Sequence, residues 1–200
     1  MKIQAILLFL IKSAVFAEVN LLGVENDPKA ITDFSSSEYY CEIKHVKQLK
    51  NLCVAASAEM VLKYYGVNLD QKEIKKRALG KENPELNDHI YTVTLFRELI
   101  QGLKSYGINW EELDFAILDY QVGLKTILIE LQNKRPVLVD TTLYGGHTVV
   151  IHGYLPEKQK LLITDPNLQF PGVRVLAKEE LEMIWNSSGQ CRALVLTKCR

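Results

Sequence analysis

The chain has 200 residues, 24 Lys and Arg against 24 Asp and Glu, and a formal net charge of zero. That balance lacks the basic excess of a phosphate-binding surface, so no nucleic-acid partner is expected, and short basic runs such as Lys75, Lys76 and Arg77 read as a solvated helix face. With 48% hydrophobic and 24% charged residues, the length suits one medium domain with a real core.

The first element is a targeting segment. Lys2 precedes the apolar run IQAILLFLI, and small residues at Val15 and Ala17 follow, which is the layout of a secretory signal peptide cleaved after Ala17. The run is too short for the roughly 20 apolar residues of a bilayer span, and Lys12 interrupts it. The expectation is a signal peptide over residues 1–17 and an exported protein, periplasmic or secreted. No stable membrane span should remain after cleavage. Residues 18–38 form a polar lead-in, and residues 39–200 form the working domain.

YYCEIKHVK (39–47) reads as a short strand. Val54, Ala58, Val61, Leu62 and Tyr65 recur at the spacing of a buried helical stripe, so a helix runs from Cys53 to Tyr65, with Gly66 just past its end. Asp70 and Glu73 make a capping-box pattern opening QKEIKKRAL, closed by Gly80. TVTLFRELIQGLKSYG (92–107) and GLKTILIELQNK (123–134) are two further helices. After Pro136 the pattern changes: PVLVDTT, HTVVIHGY, KLLITD, VRVL and CRALVL are short β-branched runs divided by turn signals, with the helix AKEELEMIW between the last two. Helices first and an antiparallel sheet second make an α+β fold, with the seam between the halves a natural place for a site.

Four cysteines, Cys41, Cys53, Cys191 and Cys199, enter an oxidising compartment if the chain is exported. Cys191 and Cys199 bracket one strand and lie roughly 26 Å apart, far outside the window of about 4.4–6.8 Å for a bridge. A bridge, if one forms, is expected to join Cys41 to one of these two and leave Cys53 as the free thiol; the alternative is that all four are reduced. Cys53 sits in the first turn of its helix, where unpartnered N–H groups and the dipole favour a thiolate. A buried inert cysteine is the alternative, because free Cys is commonly a core residue.

A nucleophile needs an oriented base. His45 and His89 read as surface residues. His147 follows YGG at a strand start, whereas His152, five residues on, points to the opposite face. A hairpin between HTVVIHGYL and KLLITD would return Asp165 beside His147, where a carboxylate holds the imidazole tautomer. Asp140, at the end of VLVD, is the competing carboxylate.

QLKNLCVAASAEMVLKYYG, GGHTVVIHGY, LLITDPN and EELEMIW, in that order, resemble the papain-like cysteine peptidases of the bacteriocin-processing (double-glycine leader) kind and their stand-alone relatives. The resemblance runs from about Val46 to the C-terminus. It implies a papain-like fold, with Cys53 as nucleophile, His147 as general base and acid, Asp165 as orienting residue and Gln48 as oxyanion donor. The expected reaction is hydrolysis of a peptide or related amide bond in a peptide or protein substrate, without a cofactor, and the family's own substrate does not carry over. Two positions depart from the family pattern. LKNL puts four residues between Gln48 and Cys53 where the family usually has five, and Val54 replaces a common Gly. No Walker-type loop GxxxxGK[ST] of a transporter fusion is present. An acyltransferase and a papain-like binding protein that no longer turns over are the alternative readings. No CxxC pair or HExxH spacing suggests a metal.

Overall fold

The computed structural model describes residues 29–79, 93–116, 119–185 and 190–199. The signal-peptide reading, the start of the lead-in, Gly80 and His89 lie outside the described residues. Six strands form one antiparallel sheet: β1 (Asn109–Ala116), β2 (Val137–Thr141), β3 (His147–Leu155), β4 (Lys160–Thr164), β5 (Val173–Ala177) and β6 (Gln190–Lys198). Their spatial order is β1-β6-β2-β3-β4-β5. β2 through β5 is therefore a meander of neighbouring hairpins, and β6 returns to lie between β1 and β2.

Helices cover both faces of the sheet. α1 (Ala30–Phe34) is short; α2 (Cys53–Tyr64), α3 (Gln71–Ala78) and α4 (Phe96–Lys104) follow it, then α5 (Tyr120–Gln132) and α6 (Lys178–Ile184). The stripe expected on α2 is real: Val54, Ala58, Val61 and Leu62 are buried with Leu138, Val150 and Leu194 of the sheet, and with Leu99 and Leu103 of α4. Leu124, Ile127 and Leu131 of α5 pack with Val137, Val139, Val149 and Ile151 on the far face. Alternation along β2 and β3 divides their side chains between these two cores. Burying a single Leu or Ile in either is worth about 1.5–3 kcal/mol before entropy.

The layout is the expected α+β one, with several local differences. Residues 39–47 form no strand. They are held instead by isolated bonds, such as Cys41 N–H to the His152 carbonyl at 2.8 Å. The end of the lead-in contains α1, whose Phe34 is buried against Leu155, Leu162 and Val173. β1 was not legible in NWEELDFA, and α5 crosses to the far face, so sheet and helices do not separate cleanly by half. Asp70 caps α3 as its sequence suggests, accepting from the Glu73 N–H at 2.8 Å. All four cysteines are free thiols. Cys191 belongs to the far-face core, where its Sγ donates to the Trp185 carbonyl, while Cys199 packs against the near-face core and Cys41 against β3. No described helix is long and apolar enough to cross a membrane.

Candidate active site

Cys53 is the first residue of α2, and Leu52 before it supplies no side-chain cap. The first-turn N–H groups thus keep their partial positive charge directed at the sulfur. One turn along, the buried Ser57 hydroxyl donates to the Thr148 carbonyl at 3.1 Å and ties the start of the helix to the start of β3.

His147 opens β3 after a reversed turn. Tyr144, Gly145 and Gly146 all have positive φ, of 53°, 82° and 129°, and the last two are conformations that suit glycine. The register pairs Val150 with Thr164. Extended by that register, Asp165 becomes a diagonal neighbour of His147, within reach of long side chains. His147 Nε2 bonds Asp165 Oδ1 at 2.7 Å, both side chains being buried. Nε2 thus occupied, Nδ1 is the ring nitrogen left for the cysteine.

The three groups tune one another. Burial pushes the Cys53 thiol up, but the hydrogen bond and charge of His147, with hydrogen bonds from the backbone at Thr148 and Val54, bring it below its ordinary value. Burial pulls His147 down, yet its hydrogen bonds to Asp165 and Cys53 and their charges raise it to about 9. Asp165 is opposed by burial and held down by His147, by the charge of Arg174 and by the Asn167 N–H. Both directions favour the thiolate–imidazolium form of the pair over the neutral one.

Asp165 is fully buried, and its carboxylate is saturated. Oδ1 also accepts from the Asn167 N–H at 2.7 Å, and Oδ2 meets Arg174 Nη2 at 3.1 Å and the Tyr144 hydroxyl at 3.5 Å. Arg174 donates to that hydroxyl too. The Tyr144 ring stands edge-on to His147, with centroids 5.1 Å apart. Sequence reading missed both partners. Arg174 is 4% exposed, and only its contact with the distant Asp165 carboxylate accounts for that, which the run VRVL does not reveal.

The remaining candidates lie elsewhere in the fold. Asp140 lines a cleft of about 240 Å³ beside Cys53 and His147, together with Thr94, Phe96 and Gly146, but the ring nitrogen goes to Asp165. His152 is buried and structural: Nδ1 bonds the Cys41 carbonyl, Nε2 bonds the Thr164 hydroxyl, and burial takes it down to about 4. His45, expected at the surface, is half-buried against Gly172, and burial lowers its pKa. Gln48 lies on the loop before α2 with its N–H donated to the Pro166 carbonyl at 2.8 Å; its Oε1 is buried without a partner among the described residues. The described residues hold no cluster of three or more His, Cys, Asp or Glu placed for a metal ion.

Residues 40–192 match the Peptidase_C39 like family. The chain belongs to that family. A double-glycine-motif protease from an AMS/PCAT transporter, solved with its leader peptide, superposes with a TM-score of 0.52 at 17% identity, over 79% of this chain and 94% of that one. The peptidase domain of Streptococcus ComA, a bifunctional ABC transporter involved in quorum sensing, gives 0.52 at 19% identity, over 78% and 98%. At such identities the likeness is one of fold. No curated protein matches the sequence. Family membership supports a peptidase function, with cysteine chemistry the family's usual kind.

Proposed function

We propose that this chain is an exported cysteine peptidase that cuts a peptide bond through an acyl-enzyme. The observation carrying the reading is a relay that opens on the cleft: Cys53 and His147 line it and interact, and His147 Nε2 bonds the buried Asp165 carboxylate at 2.7 Å. The thiolate of Cys53 attacks the carbonyl carbon, forming a C–S bond as the carbonyl electrons move onto oxygen. The imidazolium of His147 then gives its proton to the leaving amine as the C–N bond breaks. Water attacks the thioester while His147 takes a proton, and collapse releases the acid and the free thiolate. Asp165 holds the tautomer that aims Nδ1 at sulfur. Gln48 and the first N–H groups of α2 are the donors for the oxyanion.

A peptide substrate is supported by the neighbouring fold that was solved with a leader peptide. Export rests on Lys2, the apolar run after it and Ala17; mass spectrometry of the secreted protein should find Glu18 at its N-terminus. The main test pairs iodoacetamide labelling with turnover of a peptide library in wild type and Cys53→Ala. Selective labelling of Cys53 and loss of cleavage in the variant are expected. Cleavage surviving the substitution would sink the assignment.

A further inference from the structure

Gln71 is the first residue of α3, a place where a polar side chain ordinarily faces water, yet it is only 7% exposed. Its side-chain amide is spent on the backbone flanking Gln48. Oε1 accepts from the Leu49 N–H at 2.8 Å, and Nε2 donates to the Lys47 carbonyl at 3.0 Å. The Gln71 N–H in turn donates to Oε2 of the buried Glu59 at 2.8 Å, and Lys63 pairs with the other oxygen at 2.7 Å. Glu59 belongs to α2, the helix that starts at Cys53. A chain of hydrogen bonds therefore runs from the body of the nucleophile helix, through Gln71, to both sides of Gln48.

Gln48 itself is fixed from the other direction by its N–H bond to the Pro166 carbonyl. The backbone on each side of its α-carbon is pinned, leaving its side-chain torsions as the main freedom. The loop has four residues before Cys53, and it turns back through Asn51 at φ 62°, with the Leu52 N–H on the Leu49 carbonyl at 3.1 Å. Loops with few residues and a left-handed position tolerate few placements of their first side chain.

We propose that Gln71 is a positioning residue for the oxyanion site, its amide clamping Lys47 and Leu49 so that the Gln48 side chain is presented to the carbonyl attacked by Cys53. The inference rests on the thiol-hydrolase reading above, with Gln48 as donor. Only an amide of this length fulfils the role, because the clamp needs one acceptor and one donor on a single planar group. Lys47 and Leu49 are exposed residues, so the loop that carries the two bonds borders solvent and not the core. Removing the clamp should therefore loosen the geometry far more than it destabilises the fold.

The test uses p-nitrophenyl acetate as the acylating probe and follows the burst of 4-nitrophenolate in a single turnover. Gln48→Ala should slow acylation by about 10²–10³, the effect of losing one oxyanion donor. Gln71→Met should slow it roughly tenfold or more within that ceiling, and Gln71→Glu, which keeps the acceptor and loses the donor, should fall between Met and wild type. Combining Gln71→Met with Gln48→Ala should add almost nothing to Gln48→Ala alone, since the clamp acts through Gln48. Iodoacetamide alkylation of Cys53, which forms no oxyanion, should stay within about twofold of wild type in Gln71→Met. The proposal is overturned if Gln71→Met acylates at the wild-type rate, if the two losses multiply, or if alkylation falls in parallel. A wild-type protein with no burst overturns the hydrolase reading itself; a normal burst with no effect of Gln71→Met overturns the clamp alone.

Discussion

Asp165→Asn changes almost no volume and removes one charge from a carboxylate whose oxygens both face donors. His147 and the Asn167 N–H converge on Oδ1, and Arg174 and Tyr144 on Oδ2. An amide must turn its NH₂ toward one of these pairs, so either His147 changes tautomer or the guanidinium faces a donor. The raised pKa of His147, about 9, is owed jointly to Asp165 and Cys53. A full return to the ordinary value near 6.5 would remove roughly 3 kcal/mol of imidazolium stabilisation, at about 1.36 kcal/mol per unit. Because Cys53 still contributes, the expected loss of thiolate–imidazolium pair at neutral pH lies between about tenfold and a few hundredfold. The assay is the second-order rate of Cys53 alkylation by iodoacetamide between pH 4 and 10, which needs no substrate. In wild type the inflection should lie below the ordinary thiol range, because His147 holds the thiol down. In the variant the inflection should climb toward the ordinary thiol value of about 8.5, and the rate at pH 6 should fall at least tenfold. An unchanged inflection in a folded variant would refute the relay, because Asp165 would then have no hold on His147.

Three further outcomes follow from the same geometry. Arg174→Met leaves Oδ2 of a buried carboxylate without its cation; breaking such a pair costs about 3–5 kcal/mol, and with Tyr144 remaining we expect the low end, a melting temperature lower by roughly 5–15 °C. Arg174→Lys should recover part of that loss, and a melting temperature unmoved by Arg174→Met would contradict it. Followed by NMR, the His147 ring should titrate near 9 and lower in Cys53→Ala, which removes one of its two anionic partners; a wild-type midpoint at or below 6.5 would disprove the ion pair. His152 is depressed to about 4 in the folded protein, so the unfolded chain takes up its proton first. Stability should therefore be unaffected by this group above about 6.5, fall by up to roughly 3 kcal/mol as pH drops toward 4, and level off below that. His152→Asn should be less stable at pH 7 yet show a flatter acid slope, and an equal slope in both proteins would remove His152 from the account.

The parts of the fold that could be read from the sequence are those written in local periodicity. The α2 stripe repeats at helical spacing, and the HTVVIHGYL and KLLITD runs alternate around a polar turn, so both the helix and the hairpin were legible. With them came the approach of Asp165 to His147. β1 was hidden because among the described residues it is an edge strand, paired with β6 alone, and its Glu111 and Asp114 face solvent, which dilutes the apolar alternation. Residues 39–47 misled in the opposite sense: their β-like composition serves a segment held by side-chain and single backbone bonds. Arg174 and Gln71 look like surface residues in any window of neighbours. Their burial depends on contacts from distant segments, Asp165 in one case and residues 47–49 in the other. Nothing local in VRVL or DQKEI encodes those.

The same long-range contacts join Asp165 to Gln48, the proposed oxyanion donor. Asp165 is not the end of the relay but the start of a loop, residues 165–172, that leans on the segment before α2. The Pro166 carbonyl takes the Gln48 N–H at 2.8 Å, the Asn167 carbonyl takes Lys47 Nζ, and Gly172 lies against the His45 ring. Asp165 and Gln48 are thus joined through Pro166, one residue beyond the carboxylate. The sheet places His147 and the helix places Cys53, with Ser57 on the Thr148 carbonyl between them. A displacement of the Asp165 loop would therefore disturb the imidazole and the Gln48 amide together. Substitutions in PNLQFPG that shift the Pro166 carbonyl should then lower alkylation and acylation at once, whereas loss of the Gln71 clamp lowers acylation alone.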